Sequence, residues 1–187
     1  MYIVGILAFL LCFLHDCNDW KFRKKYLNFC FPLGAAFIAV SSIWMCIPLG
    51  VGPVHAVWLR IILGILGIAF AWAEVYSLFF SFNTKDAYIE YWDEERRTVN
   101  TTRMYALCRH PGVLFFVLLF IILWLCIGMD FPGMVMLCVL NVLLAAFEDL
   151  IVFPKVFRGY EEYKETTPFL VPNCKSISHC IGDFRRK

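Results

Sequence analysis

The sequence predicts an all-α, polytopic bundle of about five transmembrane helices with a cytoplasmic amphipathic helix in its C-terminal tail. Two observations predict the bundle. The 187 residues are 61% hydrophobic, where an average soluble domain is roughly 45–50% apolar. The apolar residues also come in unbroken blocks: Tyr26 to Leu59, Pro111 to Met129 and Phe131 to Phe147 hold no Asp, Glu, Lys or Arg. A span needs about 20 mostly apolar residues. A buried helix of a soluble core would show a polar face, and these blocks have none.

The first segment, Met1 to Leu14, is the weakest. As a helix it would rise only about 21 Å, so it either spans or lies in the interface. It lacks the basic start and small-residue cleavage site of a signal peptide. The second span lies within Tyr26 to Leu49, before the breakers Pro48, Gly50, Gly52 and Pro53. The third runs from about Ala56 to Phe82. The fourth is Gly112 to Gly128, and Met129-Asp130 with Pro132-Gly133 predicts a tight turn into a fifth, Gly133 to Phe153. The chain thus divides into N-terminal membrane helices (1–82), a polar loop (83–110) and a membrane hairpin with its tail (111–187).

Charge orients the set by the positive-inside rule. If all five segments cross, sixteen of the seventeen Lys and Arg residues fall on one side, with Arg60 alone on the other. That side is read as the cytoplasm, with the C-terminus in it. The membrane would be a bacterial inner membrane, or the endoplasmic reticulum in a eukaryote. The tail residues Phe153, Val156, Phe157, Tyr160 and Tyr163 or Lys164 recur at helical spacing, which predicts one amphipathic helix on the membrane or over the bundle.

A net charge of +2 and the lack of a basic run exclude a nucleic-acid partner. The nine cysteines form no C-x-x-C pair, and Cys174, His179 and Cys180 lack zinc-ligand spacing, so no metal site is expected.

Ionisable groups inside spans are costly and usually functional. Glu74 sits in the middle of the third span, as a structural hydrogen-bonding group or a functional one. Glu148 and Asp149 close the fifth, where Asn141, Ala145 and Glu148 share a helix face. If the span ends near Leu144, Glu148 stands in water. Arg109-His110-Pro111 opens the fourth span. Pro suits a first helical position, but a helix start does not require Arg-His.

In order along the chain come Tyr105, Arg109-His110-Pro111, a membrane hairpin, Glu148-Asp149, Phe157, Tyr160, Tyr163, Pro168 and Pro172. This pattern resembles the integral-membrane methyltransferases related to isoprenylcysteine carboxyl methyltransferase and the phospholipid N-methyltransferases. The resemblance covers roughly residues 103–173. Val113 stands where that family has a tyrosine, Phe115 where it has a glycine, and Arg158 separates Phe157 from Gly159.

The resemblance implies an enzyme that binds S-adenosylmethionine in a pocket made by the hairpin and tail. It would transfer a methyl group to a membrane-embedded lipid or lipidated small-molecule substrate, on a carboxylate or an amine. It gives Tyr105, Arg109, His110, Pro111, Glu148, Phe157, Tyr160 and Tyr163 to the cofactor. Arg109 and His110 would take its carboxylate, and Glu148 its amino group or ribose. Glu148 and His110 become the catalytic candidates. Glu74, Asn141 and Val113 fall to the substrate side. Two other functions fit the same residues: an NADPH-dependent membrane reductase, and a non-enzymatic scaffold with Phe115 plugging the cavity.

Overall fold

The computed structural model describes residues 1–47, 52–80 and 98–185. Among them the chain is helical, apart from an isolated bridge between Thr98 and Arg158. Helix α1 is Tyr2–Cys17, and its end widens into a π-helical turn over Asn18–Phe22. A short 3₁₀ turn, Lys25–Phe29, leads into α2, Cys30–Cys46. Helix α3 is Val57–Val75 and also ends in a π turn, Tyr76–Phe80. After the one-turn helix α4 (Met104–Leu107) come α5, Pro111–Ile127, and α6, Phe131–Phe147. A third π turn, Glu148–Val152, joins α6 to α7, Phe153–Val156. The tail adds α8 (Tyr160–Thr166) and α9 (Cys174–Arg185).

Four helical stretches are long and apolar enough to cross a membrane: Tyr2–Phe22, Lys25–Cys46, Val57–Leu78 and Phe131–Val156. The stretch from Pro111 to Ile127 is shorter. The expectation for the first segment is therefore corrected. It does not stop at Leu14 but continues for 21 residues. His15-Asp16 reads as an end signal, yet the helix runs on past them and brings Asp16 beside Glu148. The breakers Pro48 and Gly50 and the polar residues 83–97 lie outside the described residues.

Helix α1 packs on α2 and α6, and α5 packs between α3 and α6. The core they share is Phe9, Met45, Phe116, Phe120, Met129, Met134 and Leu137. At the α1–α2 contact a Cβ on Gly34 would sit 2.7 Å from Cys12 Sγ and 2.9 Å from the Ala8 carbonyl oxygen. Only a residue without a side chain permits that approach. Outside, large apolar side chains such as Ile3, Trp58, Ile65 and Ile68 are exposed. A water-soluble bundle would put polar groups there.

The tail departs from expectation. A single helix from Phe153 to Lys164 is not formed. Phe157 is extended, and Gly159 turns left-handed at φ 77° before α8 begins. The break lets the Arg158 carbonyl accept a hydrogen bond from Val99 N at 3.2 Å. The C-terminal amphipathic helix is instead α9.

Candidate functional site

The site grows from the backbone around Pro111. A proline disfavours the helical conformation in the residue before it. His110 accordingly sits at φ −123°, ψ 65°, and Cys108 is extended. The N–H groups of Arg109 and His110 are thereby turned out of any helix. They donate to the tail: Arg109 N to the Pro168 carbonyl at 2.9 Å, and His110 N to the Phe169 carbonyl at 3.2 Å.

Side chains complete the junction. Arg109 forks onto Asp149, with Nε 2.7 Å from Oδ1 and Nη2 3.0 Å from Oδ2. Its Nη1 donates to the carbonyls of Thr167 (2.7 Å) and Lys164 (3.1 Å). Four of the five N–H donors of a guanidinium are thus engaged. The Tyr160 hydroxyl donates to Asp149 Oδ1 at 2.7 Å. Burial opposes the Arg109 charge, but the bond to Asp149 outweighs it and holds the pKa above its ordinary value. Burial, then the bond to Asp149, pushes the Tyr160 hydroxyl up.

His110 is buried between rings. It stacks on Phe153 (centroids 5.5 Å, planes 9° apart) and meets Phe169 edge-on. Its Nδ1 lies 3.5 Å from Glu148 Oε2 and its Nε2 3.5 Å from Asp149 Oδ1. These are long contacts, and Nε2 has no hydrogen-bond partner. Burial lowers the His110 pKa; Asp149 opposes the shift and Arg109 adds to it.

The π turn explains how two consecutive acids serve one site. An i→i+5 turn rotates each residue by less than an α turn does, so Glu148 and Asp149 diverge less. Pro154 favours such a turn, because it has no N–H to offer the carbonyl four residues back. Glu148 remains partly open, with its side chain 21% exposed.

Tyr163 donates to the Tyr105 carbonyl at 2.6 Å, and Tyr105 donates to the Ser77 carbonyl at 3.3 Å. These bonds join α8, α4 and the end of α3. Phe157 packs edge-on against Phe153. Burial raises the Cys108 thiol to about 12, so it is no nucleophile near neutral pH.

The structure therefore brings together Tyr105, Arg109, His110, Pro111, Glu148, Phe157, Tyr160 and Tyr163 at one end of the bundle. Glu74 lies within α3, Asn141 within α6 and Val113 in the first turn of α5. Phe115 stacks on Phe70 of α3 at 6.1 Å, so it packs two helices. Of the site's acids, Asp149 was noted with Glu148 in the sequence but given no role, and Asp16 was not singled out. Asp149 is the partner of Arg109, and Asp16 brings α1 to Glu148. The adjacency of Asp149 to Glu148 was the available signal for the first. Asp16 gave none. No group of three or more His, Cys, Asp or Glu among the described residues is placed to hold a metal ion.

No family model matches the chain, and neither does any curated protein or any solved structure.

Proposed function

We propose that this chain is an integral membrane protein that transfers a methyl group from S-adenosylmethionine to a membrane-embedded acceptor. Its Lys- and Arg-rich end would face the cytoplasm. One observation supports the reading above the others. Residues up to 58 positions apart meet in one cluster, and Glu148, within 3.5 Å of His110, stays partly open. A cluster serving stability alone would not need a second acid beside a buried histidine whose other neighbour is already paired with Arg109.

The residues fit the cationic half of such a cofactor. Glu148 and Asp16 would face its ammonium group, and the rings of Phe153, Phe157 and Phe169 would cover its sulfonium and adenine. They fit its carboxylate less well, because Arg109 is committed to Asp149 and to two tail carbonyls. Arg109 is thus a positioning residue in this reading, and it fixes the tail that closes the site. When bound, the cofactor supplies an electrophilic methyl carbon. The chain's own work is to hold two reactants in line, the main source of rate in such a transfer. If the acceptor is an amine, Glu148 is placed to take its proton. The engagement of Arg109 favours a second reading, a membrane scaffold whose tail is locked in place.

Calorimetric titration of S-adenosylhomocysteine into the protein in lipid nanodiscs tests this, with NADPH alongside. Saturable binding is expected, weakened about tenfold or more in Glu148→Gln, since a bond to a charged group contributes roughly 1.5–3 kcal/mol. The variant's melting transition serves as a folding control. Binding of NADPH alone would move the protein to the reductases. Binding of neither would leave the scaffold.

A further inference from the structure

Helix α9 is firmly seated on one side and open on another. Its start is closed by reciprocal bonds: Ser176 N donates to Asn173 Oδ1 at 2.8 Å, and Asn173 N donates to Ser176 Oγ at 3.1 Å. Ser176 and Cys180 are buried against the protein. Asp183, the sole acid in the helix, accepts a hydrogen bond from Arg103 N at 3.2 Å. Beside this seated face runs a stripe at i, i+4, i+7. It consists of Ile177, Ile181 and Phe184, which are 42%, 47% and 40% exposed.

The stripe continues an aromatic band on α3. Phe184 contacts Tyr76 at 6.2 Å, Tyr76 stacks on Phe80 at 6.3 Å, and Phe80 stacks on Trp72 at 6.3 Å. Trp72 and Phe80 are both exposed at the end of a helix long enough to span. Aromatic residues gather where hydrocarbon meets headgroups, so this band marks the level at which α9 lies. The charges the helix does not turn inward are basic. Lys175 stands in its first turn and Arg185 in its last, and the sequence continues Arg186-Lys187.

From this juxtaposition we infer that α9 is an interfacial anchor. It sinks Ile177, Ile181 and Phe184 into the edge of the bilayer while Lys175 and Arg185 bind anionic lipid headgroups. The occupant of the stripe is lipid, because the stripe is continuous with the apolar exterior of α3 and is flanked by positive charge. Basic residues near an anionic leaflet are attracted to it, and an amphipathic helix with an apolar stripe lies in that plane. The inference is independent of the proposed chemistry. It assigns α9 the task of holding the tail, and with it the Arg109–Asp149 junction, at the membrane surface.

Photo-crosslinking of the full chain in nanodiscs tests it. Two variants, Ile181→p-benzoylphenylalanine and His179→p-benzoylphenylalanine, are irradiated in mixed phosphatidylcholine and phosphatidylglycerol, and adducts are identified by mass spectrometry. Position 181 is expected to give lipid adducts enriched in phosphatidylglycerol beyond its share of the bilayer, and position 179 few or none. Adding Lys175→Glu and Arg185→Glu should remove the enrichment and leave the adducts. Adducts from position 181 to a second copy of the chain, equal lipid adducts from both positions, or no phosphatidylglycerol enrichment would each overturn the inference.

Discussion

At one end of the bundle the helices are closed around a tight turn. Gly128 turns left-handed at φ 71° to end α5, and Asp130 caps α6 by accepting from Gly133 N at 2.8 Å. Tyr2 donates to the same carboxylate, and Arg60 donates to the Cys126 carbonyl at 2.6 Å. At the other end a buried ion pair and its tyrosines close the helices. Arg109 and Asp149 are 40 residues apart, and Tyr163 reaches Tyr105 across 58. The first end is a turn with caps. The second ties the tail to the bundle through charges taken largely out of water. The difference teaches where a site can be built, since the second end holds an ion pair and a histidine together largely out of water.

The contrast is sharpest at Asp149. Asp149→Ala leaves the Arg109 guanidinium, 10% exposed, without its counter-charge. Removing one partner of a buried pair costs roughly 3–5 kcal/mol, so the variant should lose that much in SDS titration from mixed micelles. Replacing both partners, Arg109→Met with Asp149→Leu, should recover much of the loss, because an apolar pair of similar volume is often neutral or better. If the single variant costs under about 1 kcal/mol, the junction behaves like a surface pair and the two ends are alike.

Tyr160→Phe comes next. It removes one bond to a charged acceptor, for which roughly 1.5–3 kcal/mol is usual. Arg109 still satisfies the carboxylate, so the low end of that range is expected in the same titration.

How much of this could be read beforehand follows from how local each piece of chemistry is. Gly128, Asp130 and Pro132 lie within five residues, and their turn chemistry is local, so the hairpin was legible. The blocks free of charge fixed the spans for an equally local reason. The junction was not legible in the same way. Arg109-His110 and Glu148-Asp149 were recognised as unusual, but which acid meets which cation depends on the rotation of the π turn at Glu148–Val152. Sequence spacing does not encode that rotation. Asp16 was misleading because a charge near a helix end commonly means water, and here it means a partner on α6's extension. Helix α9 was missed because Ser, His and Gly dilute its apolar stripe to three residues.

The capped turn offers the smaller mutational effect. Asp130→Ala removes an N-cap, a loss of about 1 kcal/mol, and frees the exposed Tyr2 hydroxyl. Thermal unfolding in nanodiscs should therefore show a drop well below that of Asp149→Ala. A drop equal to it would mean that the turn, and not the junction, governs stability.

The smallest expected effect is one of pH, and it belongs to the far end alone. His110 is buried against Phe153 and Phe169 and faces Arg109, Asp149 and Glu148. Burial holds its folded pKa below the ordinary 6.5, and Arg109 acts the same way against Asp149. An unfolded histidine takes up its proton near 6.5, before the folded one does. The unfolded state then binds more protons, so stability falls as pH drops below that value. The contribution is whole above 6.5 and is lost as pH falls toward the folded pKa. Relative to His110→Gln, the wild type should lose stability in nanodisc melting between pH 7.5 and 5.5. Because burial and Asp149 pull in opposite directions, the decline should be modest. A gain relative to that variant on acidification would show that the carboxylates, not burial, control this histidine, and that the junction is wetter than the distances imply.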